Sequence, residues 1–365
     1  MRIYGGQVFG ADHKMHHEDL CFQNGVITSN SSNGEFDASG CYVIPGLIDT
    51  HIHGAKGVEF LMANQDMTPS LDWLCSQGVT GVLVSSSCQL PEKLRQVTEY
   101  VKKTNDSRIV GIHAEGPFIN PVRKGGMDEW AIQSPNVSIP EMINEVSGGM
   151  LKIMTVAPEV EGIDAVIDKC LELGVKVSMG HSDATYEQAK KAVDRGASRL
   201  THTFNAMRPY NHREPGVLGC ALDDERVNCE LICDLYHVSA PAIKLVLKAK
   251  GYENVTMISD CSYFCGMGDG DYSYEGKTIY VRNGLCKLAD GTICGSSKCL
   301  FDGAKNMFNL GFKPEEIAVM AAVNPAKAAG CNDRGEFIEG YRADVLVVDS
   351  DFNLKAVFVE GERVR

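Results

Sequence analysis

Through the middle of the chain, short apolar-rich runs alternate with longer stretches of helical character. Val43–His53, Thr80–Ser86, Arg108–Glu115, Leu151–Pro158, Lys176–His181, Arg199–Asn205, Asn228–Asp234 and Val255–Asp260 read as strands. Between them Thr68–Gln77, Pro91–Thr104, Gly162–Leu173, Thr185–Arg195 and Ala240–Ala249 read as helices, several followed by glycine (Gly78, Gly174, Gly196, Gly251). Eight strand-and-connection units over roughly 280 residues is the arithmetic of an α/β fold of the parallel (β/α)8, TIM-like type, with its active site at the carboxyl ends of the strands. A doubly wound sheet accommodates the same alternation.

The two ends are patterned differently. Arg2–Val8, Leu20–Thr28 and Gly34–Val43 read as strands punctuated by Asn24-Gly25 and Asn33-Gly34. Gly335–Ile338, Ala343–Val348 and Lys355–Val359 read the same way, with turns at Gly340 and Gly361. Neither end carries a core of its own. Residues 1–44 and 331–365 are therefore expected to share one small β-sandwich domain beside a catalytic barrel over 45–330.

Composition narrows the class. Of 365 residues 44% are hydrophobic and 23% charged, enough for a full core, which excludes disordered, collagen-like and disulfide-scaffold chains. The formal net charge of −13 argues against a nucleic-acid or anionic-membrane binder but leaves room for a small anion in a local basic pocket. No stretch approaches the ~18 apolar residues of a membrane span, and the opening residues lack a signal-peptide core. The 14 cysteines form no CxxC pair or Cys/His finger; they read as buried thiols in a reducing compartment, which points to the cytoplasm.

The candidate chemistry lies at strand ends. His51 and His53 share one face at the end of the first candidate strand, as His113 and Glu115 do at the end of the third. His181 ends the fifth, His202 lies in the sixth, His237 follows the seventh and Asp260 ends the eighth. Converging imidazoles and carboxylates are what a divalent metal needs. His13, His16 and His17 lie in a polar N-terminal loop and read as solvated. The glycines of Cys261–Asp271 suggest a mobile loop over the site; the spacing of Asp269 and Asp271 does not continue as a calcium loop would.

VIPGLIDTHIHG resembles the amidohydrolase superfamily, whose metal-dependent hydrolase barrel is flanked by a small β domain from both chain ends; RADVLVVD near the C-terminus is of the same type. GIHAEGPFIN, MGHSDAT, THTFNAM, HREPG and GKTIYVRNGLC are similar to motifs of the N-acetylglucosamine-6-phosphate deacetylase family, in the family's order. The resemblance implies that Glu115, His181 and His202 hold the principal metal, with His51 and His53 able to hold a second. It implies one or two divalent ions per subunit, Zn²⁺ first and Fe²⁺ or Mn²⁺ as alternatives. Asp260 matches the catalytic aspartate, and Asn205, Ala206, His237 and Arg213 match contacts to a phosphorylated N-acetyl amino sugar. Arg213 would act across a homodimer interface. His113 is left with a supporting role.

The implied reaction is hydrolysis of the acetamide of N-acetylglucosamine 6-phosphate to glucosamine 6-phosphate and acetate. A metal would bring the pKa of water toward ~7, and Asp260 would serve first as base and then as acid. Two departures stand out. The family's D-G-x-H reads Asp234-Leu235-Tyr236-His237, whose bulk is expected to reshape the sugar pocket, and its K-G-x-H reads Lys124-Gly125-Gly126-Met127, which removes a polar substrate contact. The alternatives are a deacetylase for a related sugar phosphate such as the galactosamine epimer, another metal amidohydrolase, and a non-catalytic sugar-phosphate sensor.

Overall fold

The computed structural model describes residues 1–31, 34–62, 65–274 and 276–365; Asn33 of the expected Asn33-Gly34 turn lies outside them. Eight parallel strands run in sequence order around a barrel: β1 (Leu47–Ile52), β2 (Val79–Ser86), β3 (Ile109–Glu115), β4 (Leu151–Val156), β5 (Lys176–Met179), β6 (Arg199–Leu200), β7 (Asn228–Ile232) and β8 (Val255–Ile258). All eight candidate strands are represented, although Val43–His53 divides between two sheets and Arg199–Asn205 shortens to Arg199–Leu200; the doubly wound alternative is excluded by the order, in which each strand pairs with its sequence neighbours.

The seam between β8 and β1 is built differently. It is closed by a bridge between Ile52 and Cys261, with Asp260 N donating to His51 O (2.9 Å) and His53 N to Cys261 O (2.8 Å). Below that point the side chain of Asp49 stands in for a ladder: it accepts from Ser259 N at 3.3 Å and from the Ser259 hydroxyl. Its carboxyl is lifted to about 6 by burial. Outside the seam, helices Pro314–Ala318 and Asn324–Ala329 are joined by a π turn, Val319–Val323; the turn and Asn324–Ala329 pack against both strands, and Pro314–Ala318 packs on Tyr42–Pro45.

The expected outer helices form within a residue or two of their predicted ends. Tyr186–Arg195 shows why: Thr185 and Gln188 make a reciprocal capping box, Ala189, Ala192 and Val193 face inward, and Gly196 ends it at φ 126°. Ser138–Ser147, Gly216–Asp223 and Leu300–Asn309 are further helices that the sequence reading did not single out.

The ends do meet. A six-stranded sheet joins Gln7–Phe9, Met15–His17 and Tyr42–Pro45 to Val345–Val348, Leu354–Val359 and Glu362–Arg363. Tyr42–Pro45 pairs antiparallel with Val345–Val348, Pro45 opposite Val345. A second, four-stranded sheet (Arg2–Tyr4, Leu20–Gln23, Val26–Thr28, Glu35–Asp37) packs on it through Ile3, Phe22, Val43, Val345 and Phe358. Three details differ from expectation. The run Arg2–Val8 is two strands in different sheets, broken at Gly5, whose φ of 77° and contact with Ser39 leave no room for a Cβ. Gly335–Ile338 forms no strand; Gly335 instead lies against Ala322 and Ala326 of the helix. The HKMHH segment is not simply solvated loop, because Met15–His17 is an edge strand, His13 bonds Glu336 (2.8 Å) and His16 bonds Asp12 (2.7 Å).

The expected loop at Cys261–Asp271 carries no regular element before Gly270, where a sheet that the sequence did not announce begins. Gly270–Tyr274, Lys277–Arg282, Leu285–Lys287 and Ile293–Ser296 form a four-stranded antiparallel sheet around Phe264, Ile279, Val281 and Cys286. Asp269 accepts from Asn283 N and Asp271 pairs with Arg282, so both carboxylates tie hairpin strands together. Ten of the 14 cysteines are buried and all are free thiols, as expected. Among the described residues no helix is long and apolar enough to cross a membrane.

Candidate active site

A cavity of about 450 Å³ opens at the carboxyl ends of the barrel strands. His53, Glu115, His181, His202, Asn205, Ala206, His237 and Asp260 line it, and the added sheet walls one side with Tyr274, Lys277, Ile279 and Ile293. His51 and His53 come from the end of β1 and Glu115 from the last position of β3. Three others stand just past their strands with left-handed backbone: His181 (φ 47°), His202 (φ 28°) and Asp260 (φ 49°). Each such non-glycine residue costs about 1–3 kcal/mol, sustained only where the surroundings hold it. Here Asn120 N donates to His181 O, and Ser296 N to Asp260 O.

Two donor sets meet at Glu115. The first comprises Glu115, His181 and His202, the second His51, His53 and Asp260. Glu115 Oε1 lies 3.0 Å from His181 Nε2, 3.0 Å from His202 Nε2 and 3.2 Å from His51 Nε2. Glu115 Oε2 lies 3.4 Å from His53 Nε2, which is 3.3 Å from Asp260 Oδ1.

The protonation pattern says what this geometry wants. His181 Nδ1 faces the carbonyl of Arg123 at 2.9 Å and can only donate there. In the neutral ring Nε2 then presents a lone pair to a carboxylate oxygen, and such an arrangement needs a cation or a proton between the two. Where protons answer, burial lowers the imidazole pKa values but the carboxylates outweigh it. His53 rises to about 10 beside Asp260 and Glu115, and His51 moves well above its ordinary value beside Glu115 and Asp260. Burial would raise the Asp260 carboxyl, yet His51 and His53 hold it below the usual range, so it is ionised and able to accept a proton. Both donor sets therefore fit a divalent metal by chemistry and by direction.

His113 is not a ligand. Its Nδ1 donates to Thr50 O (3.0 Å) and its Nε2 accepts from Thr155 Oγ1 (2.8 Å), which uses both nitrogens, and burial first, then His51, depresses its pKa to about 3. The ring packs edge-on to His51 with centroids 4.6 Å apart, matching the expected supporting role.

The remaining expected residues divide. His237 is held by Asp234 (Nδ1 to Oδ2, 2.7 Å), leaving Nε2 free of that bond. Burial opposes the charged ring, but Asp234 prevails and raises its pKa. Asn205 and Ala206 sit on the turn after β6. Arg213 is not brought to the cavity: it lies in the exposed segment 209–214. The base of that segment is tied down by Asp183, which accepts from Arg123 (2.7 Å) and Arg208 (2.9 Å). Leu235 and Tyr236 are exposed and do not line the cavity, and Leu235 adopts φ 68°, a glycine-like conformation. Met127 does line the cavity, and beside it Asp128 pairs with Lys277 of the added sheet (2.8 Å).

Sequence reasoning missed one site residue. Glu230 of β7 is fully buried, with Oε2 3.3 Å from His51 Nδ1 and Oε1 3.2 Å from Arg199 Nη2. Burial would raise its carboxyl, but the His51 bond and the Arg199 charge hold it at about 2. The signal was available: lone opposite charges inside neighbouring apolar strands, Arg199 in SRLTH and Glu230 in NCELI.

Residues 42–364 match the model of the amidohydrolase family. The N-acetylglucosamine-6-phosphate deacetylase of Bacillus subtilis is 34% identical over 87% of this chain and 83% of its own. The chain belongs to this deacetylase family, within the amidohydrolases. The N-acetylgalactosamine-6-phosphate deacetylase of Escherichia coli O157:H7 is 29% identical over 87% of this chain and 86% of its own. Among solved structures, a Mycobacterium smegmatis N-acetyl-D-glucosamine-6-phosphate deacetylase mutant in complex with N-acetyl-D-glucosamine-6-phosphate superposes with a TM-score of 0.93 at 28% identity, covering 100% of this chain and 99% of that one.

Proposed function

We propose that this protein hydrolyses N-acetylglucosamine 6-phosphate to glucosamine 6-phosphate and acetate. The observation that carries the reading is the convergence of Glu115, His181, His202, His53 and Asp260 on one cavity, with the buried His51 behind them in the second donor set. A divalent ion held by these donors, Zn²⁺ before Fe²⁺ or Mn²⁺, supplies Lewis acidity that polarises a carbonyl and acidifies water. Asp260 takes the proton from the attacking water as the C–O bond forms at the acetamide carbon. It then returns that proton to the amine nitrogen as the C–N bond breaks. His237 and the turn at Asn205 and Ala206 bind the phosphate, placing the acetamide over the metal donors.

Arg213 is too exposed in the single chain to complete that phosphate site, which supports a homodimer in which it reaches the partner's substrate. The chemistry belongs to residues 45–330, with residues 1–44 and 331–365 as a supporting β domain, in a cytoplasmic enzyme of amino-sugar metabolism. The galactosamine epimer is the second reading, supported by the 29% identity to the Escherichia coli O157:H7 N-acetylgalactosamine-6-phosphate deacetylase. Acetate release from the metal-loaded protein, measured on both epimers with and without the phosphate, tests the reading. No release from either phosphorylated epimer would sink it.

A further inference from the structure

We propose that Glu230, paired with Arg199, is a positioning residue that sets the tautomer and basicity of His51 and couples the two metal-donor sets. The inference rests on reading those donors as a metal site.

Glu230 projects from β7 into the barrel and Arg199 from β6, at 0% and 3% exposure. A carboxylate paired with the Arg199 guanidinium at 3.2 Å only accepts, so the 3.3 Å contact to His51 places the proton on Nδ1. His51 Nε2 then carries the lone pair and is aimed at Glu115 Oε1 (3.2 Å) and Asp260 Oδ1 (3.7 Å), where the second donor set meets the first. The reverse tautomer would set a lone pair against Glu230 and withdraw His51 from the donors.

The same oxygen accepts from His202 N at 3.4 Å, one of the bonds available to the left-handed backbone there. One carboxylate thus stands behind a ligand from each donor set. Its other oxygen is fixed by Arg199 at 3.2 Å, which stops the side chain from turning toward the donors and becoming a ligand itself. His51, His113 and Glu230 also lie close enough to be considered a third cation group. That role is excluded because both nitrogens of His113 are already committed, to Thr50 and Thr155. The group is a support beneath the metal donors.

The arrangement follows the general rule that a ligating imidazole is oriented and made more basic by a carboxylate on its far nitrogen. The test is Zn²⁺ affinity and stoichiometry of full-length Glu230→Gln by chelator competition, with the imidazole N–H resonance of His51 followed in the Zn²⁺-loaded, ¹⁵N-histidine-labelled protein. Zn²⁺ affinity should fall about 10–100-fold, and the hydrogen-bonded His51 Nδ1–H signal should shift or vanish. A role confined to packing would lower thermal stability without moving either readout. Should Glu230→Gln fail to fold, the double variant Glu230→Gln/Arg199→Met removes both charges together and should show the same loss. Wild-type affinity and an unchanged His51 signal in whichever variant folds would overturn the proposal alone. Wild-type protein that binds no divalent ion would overturn the metal reading along with it.

Discussion

Glu115 Oε1 and His181 Nε2 lie 3.0 Å apart, although the Arg123 carbonyl already claims the proton on the far nitrogen of the imidazole. The same oxygen meets His202 at 3.0 Å, so a cation there relieves several unfavourable encounters together. Chelation should therefore abolish acetate release and lower the thermal midpoint, and both should recover on adding Zn²⁺. Metal at 100 times its Kd stabilises the folded state by about 2.7 kcal/mol. A midpoint unmoved by chelation would show that these donors hold no ion.

Asp260→Asn separates chemistry from metal binding. Glu115, His181 and His202 are untouched, so the variant should retain metal by elemental analysis while kcat falls on the order of 10²–10⁴-fold. His202→Ala should lose metal and rate together. Equal metal content in His202→Ala and wild type would misplace that ligand.

Arg213→Ala should raise KM for the phosphorylated sugar far more than for the unphosphorylated one, a loss of roughly 2–5 kcal/mol if the phosphate is left buried and unpaired. Mixed with Asp260→Asn under subunit exchange, it should restore about a quarter of wild-type activity, because about half the dimers are mixed and each has one complete site. No recovery despite exchange would place Arg213 in cis or outside the site.

The Asp234–His237 pair predicts a pH effect whose sign is fixed. The His237 pKa is raised, so its charged contribution is complete below its unfolded value and is lost as pH rises through the folded one. The Asp234 pKa is lowered, so its contribution exists above the unfolded carboxylate range and is lost as pH falls. The pair stabilises the fold between those limits, and a charged His237 favours phosphate over the same interval. Asp234→Asn should move the alkaline rise in KM to lower pH with little change in kcat. An unmoved KM profile would remove His237 from phosphate binding.

Leu235 sits at φ 68° with its side chain exposed. Relief of left-handed strain is worth about 1–2 kcal/mol, offset by about 0.5–1 kcal/mol of glycine backbone entropy. Leu235→Gly should thus leave the protein equally stable or up to about 1.5 kcal/mol more stable. Thermal melting checks this, and a clear destabilisation would show that packing of the partly covered Leu235 side chain outweighs the strain.

Much of this was legible in the sequence because the barrel's chemistry is periodic. Strand ends announce themselves by glycine and by polar residues that follow apolar runs, which is how His51, His53, Glu115, His181 and Asp260 could be placed. Glu230 and Arg199 escaped because each looks like an isolated charge until the strands are laid side by side. The sheet over residues 270–296 escaped because its segments are short and polar, and only their antiparallel pairing makes them a wall. Arg213 was singled out by resemblance alone, and the sequence does not show that the exposed 209–214 segment keeps it off the wall of its own chain's cavity.

The pairing of Tyr42–Pro45 with Val345–Val348 sets a timetable for the nascent chain. The strand that leads directly into His51 and His53 gains this neighbour only after some 300 further residues have been made. At ~5–20 residues per second that wait is roughly 15–60 s. During it, the apolar edge of Tyr42–Pro45 stays open while later barrel strands leave the ribosome. Synthesis thus keeps the strand that leads into the first barrel strand unanchored on that side until the last tenth of the chain emerges, which makes the C-terminal strands the latch of a fold begun at its other end.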